Sequence, residues 1–168
     1  MNELYILRHG IAVPHGSPGI ADDDRPLTPE GEQRMKQIGR GLAAIELQVD
    51  RIITSPLPRA RRTAQIVADK LDMTDRLESS DILRAGTDAT AIRDWLLERN
   101  ENRLMIVGHD PAFSELVGLL VLGETGKLPL ELKKGGMAAL ARSADSGPRF
   151  QLDWIAPPRL LRRLGDEK

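Results

Sequence analysis

The 168-residue sequence contains no cysteine. That absence excludes disulfides, thiolate zinc sites and cysteine nucleophiles together. Net charge is nearly absent too: 24 Lys and Arg against 25 Asp and Glu leave −1, so no global field points to nucleic acid or to an acidic membrane. No apolar run approaches the roughly 20 residues that a membrane span needs. Glu3 and Arg8 interrupt the N-terminal apolar stretch too early for a secretory leader. Internal repeats, low-complexity tracts and a domain linker are also missing. The expectation is one domain over residues 1–168, with a peripheral tail from about residue 157, in a cytoplasmic protein whose partners are neither nucleic acid nor membrane.

What is present is an alternation of strands and helices. Leu4 to Leu7 are apolar throughout and read as a strand buried on both faces. Residues 13–27 hold three prolines, two glycines and three aspartates, and read as a loop. A helix opens with Thr28 as N-cap and Pro29 in the first turn, and carries an apolar stripe of Met35, Ile38, Leu42 and Ile45. "RIITS" (51–55) is a second strand, followed by a helix from about Pro58 to Leu71. A loop containing "SSD" leads to a third helix near Asp88 to Arg99. "RLMIVGH" (103–109) is another apolar strand, a fourth helix runs from about Pro111 to Leu122, and "GGMAALAR" and "RFQLDWIA" form a hairpin around "SADSG". This order predicts an α/β fold, a three-layer αβα sandwich around a mostly parallel sheet. The tail "RLLRRLGDEK" reads either as a short helix or as a frayed terminus.

Ligands of open α/β sheets bind beyond the carboxyl ends of the strands. Three such ends carry chemistry here: Arg8-His9-Gly10, Ser55 leading to Arg59, and Gly108-His109. The aspartate-rich loop adds Arg25. One histidine at a strand end is more often a surface or capping residue than a catalyst. Two, each beside a glycine that permits close backbone approach to a ligand and each near arginines, point to a shared anion pocket. Arginine forks suit the equatorial oxygens of a phosphoryl group. A neutral imidazole can attack phosphorus in line and form a covalent intermediate, the second imidazole stabilising the transferring oxygens. His15, in the polar loop, receives no role. Histidines far apart in sequence and set among arginines do not read as a metal site, and no cofactor is expected.

"LRHG", "DRPLTPEG", "SPLPRARRTA" and "VGHDP", in that order, resemble the histidine phosphatase superfamily with its phosphoglycerate-mutase-like fold. The short chain and "DRPLT" resemble the SixA-type phosphohistidine phosphatases. The resemblance implies His9 as nucleophile, Arg8 and Arg59 as phosphate clamps, His109 as the second pocket histidine and Arg25 as an extra basic residue. Asp24 either orients Arg25 or is a solvated loop carboxylate; Ser55 either lines the pocket or only turns the chain. Thr63, one turn beyond Arg59, reads as a packing or hydrogen-bonding support, and Arg61 and Arg62 as exposed.

Larger members of the superfamily supply a glutamate as general acid from the segment between the second and third helices. Here that segment is "RLESSDILRAGTD", where Asp81 is the best-placed carboxylate and Glu78 the next, neither in a motif of the family. A weak acid site fits a phosphoramidate, whose leaving imidazole can be protonated beforehand. The expected activity is hydrolysis of phosphohistidine on a protein, such as a phosphotransfer protein. The alternatives are a phosphomonoesterase for a small phosphate ester such as a sugar phosphate, a mutase, and a non-catalytic phosphate-binding module.

Overall fold

The computed structural model describes residues 1–142 and 149–165. A six-stranded sheet runs in the order β3-β2-β4-β1-β5-β6. Its strands are β1 (Glu3–Arg8), β2 (Arg51–Thr54), β3 (Leu77–Ser79), β4 (Arg103–Gly108), β5 (Met137–Ala141) and β6 (Gln151–Ala156). The β3–β2, β2–β4 and β4–β1 ladders are parallel; β1–β5 and β5–β6 are antiparallel. The helices are α1 (Pro29–Ala44), α2 (Pro58–Lys70), α3 (Ala89–Leu97), α4 (Ala112–Leu122) and α5 (Pro158–Leu164). The loop proposed for the hairpin, "SADSG", lies outside the described residues.

Period-2 alternation explains the two cores. Tyr5 and Leu7 of β1, with Met105 and Val107 of β4, face a cluster completed by Met35, Ile38 and Leu42 of α1 and by α2 and α5. Leu4, Ile6, Leu104 and Ile106 face the opposite cluster, under α3 and α4. With helices on both faces, the central strands need no polar side, which is why they read as continuous apolar runs.

Three expectations change at the margins. β3 was not anticipated: it is three residues long and mostly exposed, so it carries no apolar signature. Ile45 caps the end of α1 and is largely exposed instead of extending the stripe. Within the tail, Pro158–Leu164 form a docked helix: Leu161 of α5 is buried, and α5 crosses α1 so closely that a Cβ on Gly41 would stand 1.9 Å from the Leu161 carbonyl oxygen.

Candidate active site

β2, β4 and β1 are parallel neighbours, so their carboxyl ends lie side by side. The ladder runs one residue past each formal end. His9 N–H donates to the Gly108 carbonyl (3.0 Å) and Ser55 N–H to that of Val107 (2.9 Å). This sets Ser55, His109 and His9 in a row on rigid backbone. The imidazoles of His9 and His109 have centroids 5.2 Å apart, and both residues are buried.

The glycines beside them serve packing. A Cβ on Gly10 would lie 2.7 Å from the Met35 side chain, and one on Gly108 would lie 2.6 Å from the Phe113 ring. The sequence expectation of close approach to a ligand is therefore corrected: the space is taken by core side chains. Gly10 N–H instead donates to Thr63 Oγ1 (3.0 Å), whose hydroxyl donates to the Arg59 carbonyl (2.7 Å). Thr63 thus ties the His9–Gly10 segment to the first turn of α2, which carries Arg59.

One hydrogen bond defines the His9 tautomer. His9 Nδ1 lies 2.7 Å from the Gly10 carbonyl oxygen. A carbonyl only accepts, so Nδ1 carries the proton and the lone pair of the neutral ring is at Nε2. Burial above all, with help from His109, Arg59 and Arg8, pushes the His9 pKa down to about 3, against the opposing pull of the Gly10 carbonyl. His109 Nε2 lies 2.8 Å from Ser55 Oγ; burial, then Arg59, Arg25 and Arg8, push its pKa down to about 3 as well.

These groups share a cavity of about 320 Å³. Arg8, Arg25, Arg59 and Lys134 line it against only two carboxylates, Asp22 and Asp110, which makes it an anion site. Arg8 is anchored through the Leu132 carbonyl (2.5 Å) and stands 3.6 Å from Asp110 Oδ2. Asp110 in turn accepts from Ser114, and Ser114 Oγ from Leu132 N–H. Arg59 donates to the Asp22 carbonyl (2.8 Å). The Nε atoms of Arg8 and Arg59, with His109 Nδ1, are buried without a partner among the described residues. Buried donors in that condition call for a ligand or water.

Most of the residues singled out from sequence converge here: Arg8, His9, Arg25, Arg59 and His109 line one cavity, and Ser55 reaches it through His109. Two carboxylates do not. Asp81 sits in a 3₁₀ turn (Asp81–Leu83), is 85% exposed, and pairs with Arg84 (3.3 Å). Glu78 is exposed on β3 and pairs with Arg51. Neither lines the cavity, because β3 is an edge strand one place beyond β2. Asp24 is exposed, and the residue that holds Arg25 is Asp22, at 2.6 Å from Arg25 Nε. In the 3₁₀ turn Asp22–Asp24, Asp22 is the aspartate that faces the cavity. Its spacing of three from Arg25 was the available signal, masked by three consecutive aspartates.

Sequence reasoning also passed over His15. It lines the cavity, and its Nδ1 lies 2.5 Å from Asp22 Oδ1. Hydrogen bonds from His15 and Arg25 hold the Asp22 pKa down to about 2. Among the described residues, no group of three or more potential metal ligands is clustered, and no helix is long and apolar enough to cross a membrane.

Comparison with known proteins agrees with this architecture. Residues 4–84 match the Histidine phosphatase superfamily (branch 1). An uncharacterised protein of Picosynechococcus sp. is 38% identical over 146 residues, spanning 84% of this chain and 86% of the relative. The phosphohistidine phosphatase SixA of Escherichia coli is 28% identical over 126 residues, spanning 73% and 76%. The solved structure of a protein histidine phosphatase SixA complexed with tungstate superposes with a TM-score of 0.79 at 24% identity, over 94% of this chain and 97% of that one. With two histidines and three arginines gathered at the carboxyl edge of this sheet, and with these likenesses, the chain belongs to the histidine phosphatase superfamily.

Proposed function

We propose that the chain hydrolyses phosphohistidine on a protein substrate through a phosphorylated His9. The observation that carries this reading is the His9–Gly10 hydrogen bond, which leaves Nε2 as the free nucleophilic nitrogen in a cavity lined by arginines. In the first step Nε2 attacks phosphorus in line. The new N–P bond forms as the substrate's N–P bond breaks, and the departing imidazole takes up a proton. Arg8, Arg59 and Arg25 hold the equatorial oxygens, and His109 and the unpartnered Arg Nε donors meet the charge that spreads over them. Water then attacks the phosphorylated His9, releasing phosphate and restoring the neutral ring. Four cationic side chains around the anion leave no electrostatic need for a metal ion.

The protein substrate is supported by the likeness to SixA and by a cavity mouth made of exposed side chains (Pro14, His15, Ala85 and Lys134), open to a protruding side chain. The cavity volume of about 320 Å³ favours a second reading, a small phosphate ester taken up whole.

The test is phosphate release from a phosphohistidine protein and from a sugar-phosphate panel, with EDTA present, wild type beside His9→Ala. Release from the protein, lowered at least about 10³-fold in the variant, is expected. Release mainly from one small phosphate transfers the mechanism to the second reading; no release from any substrate overturns both.

A further inference from the structure

We propose that His15 is the proton donor to the leaving atom in this cavity, a role that rests on the phosphotransfer reading above. The cavity wall has few groups able to supply that proton. His9 is consumed as nucleophile. His109 is buried, bonded to Ser55, and held neutral. Asp22 is ionised between His15, Arg25 and Arg59, and Asp110 accepts from Ser114 beside Arg8. The carboxylates of the segment after α2, Asp81 and Glu78, lie outside the cavity.

His15 has the geometry of a donor. Its Nδ1 donates a hydrogen bond to Asp22 Oδ1, which fixes the ring. Nε2 takes no hydrogen bond from the described residues. The ring is 80% exposed at the mouth of the cavity that the buried His9 and His109 also line. Imidazole is also the side chain that ordinarily exchanges its proton near neutrality. The Asp22–His15 pair repeats the arrangement in which a carboxylate orients an imidazole for proton transfer.

The steps balance. As His9 Nε2 bonds to phosphorus, the bond from phosphorus to the leaving atom breaks, and its electron pair takes the Nε2 proton of His15. His15 is then neutral. In the second step it accepts a proton from the attacking water, phosphate leaves, and the imidazolium is restored. The net change is one water consumed, with one leaving group and one phosphate released.

A leaving group that departs readily as an anion needs this proton least, so the test varies the leaving group. His15→Asn keeps a donor at the place of Nδ1 and deletes Nε2, and the exposure of His15 protects the fold. Wild type and His15→Asn are compared on aryl phosphates from p-nitrophenyl to phenyl phosphate, reading kcat/KM, which reports transfer to His9. The expected loss is on the order of 10²-fold for phenyl phosphate and at least about tenfold smaller for p-nitrophenyl phosphate, so the dependence on leaving-group acidity steepens. Equal losses across the series would mark His15 as a positioning residue for Asp22 and overturn the proposal, as would no loss at all. If His9→Ala turns over the series as fast as wild type does, the phosphotransfer reading itself fails, and with it the role of His15.

Discussion

The two walls of the cavity are built on opposite plans. One wall is the carboxyl edge of β2, β4 and β1 with the first turn of α2: Ser55, His109, His9 and Arg59 are each at most 6% exposed. Their positions come from ladder hydrogen bonds and Thr63. The other wall is the 13–27 loop, where an exposed His15, a half-buried Asp22 and a largely buried Arg25 hold one another by side-chain bonds. Burial keeps the first wall's imidazoles neutral, while the second wall sets an exposed imidazole against a carboxylate and a partly buried arginine. The same side chain thus occupies two dielectric settings in one cavity, buried at His9 and exposed at His15.

The sharpest way to break this comparison is to make one conservative change on each wall. Arg59→Lys replaces a buried fork with a point charge and leaves the Asp22 carbonyl and the equatorial oxygens without a planar partner. A fall in kcat/KM on the order of 10²-fold is expected, against about tenfold for Arg25→Lys on the loop wall, where the arginine is less deeply buried. Equal losses in steady-state assays would show that burial does not rank the two arginines.

A second expectation concerns acid stability. The folded-state pKa values of His9 and His109, about 3, lie below the ordinary histidine value near 6.5. Between those limits the unfolded chain binds more protons than the folded one. Their contribution is therefore present above about pH 6.5 and is lost as pH falls toward 3, with a slope of up to about two protons. Urea denaturation of wild type and His9→Ala at pH 7 and 4.5 should show the variant's slope smaller by about one proton. Protonation of His9 itself should not limit activity until near pH 3.

The smallest effect is expected at Asp81→Asn. Its carboxylate is solvated, outside the cavity, and paired only with an exposed arginine. Turnover on any phosphate substrate should stay within about twofold of wild type, and stability within about 0.5 kcal/mol. A large loss would restore Asp81 as a candidate acid.

Much of this molecule was legible in its residues alone. The apolar runs at Leu4–Leu7 and Leu104–Val107 read as strands covered on both faces because they are short and end at glycine–histidine pairs; α4 buries Leu116–Leu120 just as continuously but within a longer helical run. Thr28-Pro29 marks the start of α1, and the glycine–histidine pairs mark the strand ends where the cavity forms. These signals are local, set by periodicity, capping and backbone restriction within a few residues. What only the tertiary structure decided is non-local. β3 exists through pairing with β2, α5 through its close crossing with α1, and the space at Gly10 and Gly108 is filled by Met35 and Phe113. Likewise, Asp22 rather than Asp24 faces Arg25, Asp81 falls outside the cavity, and His15 stands at its mouth. Apart from the Asp22–Arg25 spacing of three, which two further aspartates masked, each of those depends on where separate segments meet and on the solvent around them, and composition and spacing carry no record of either.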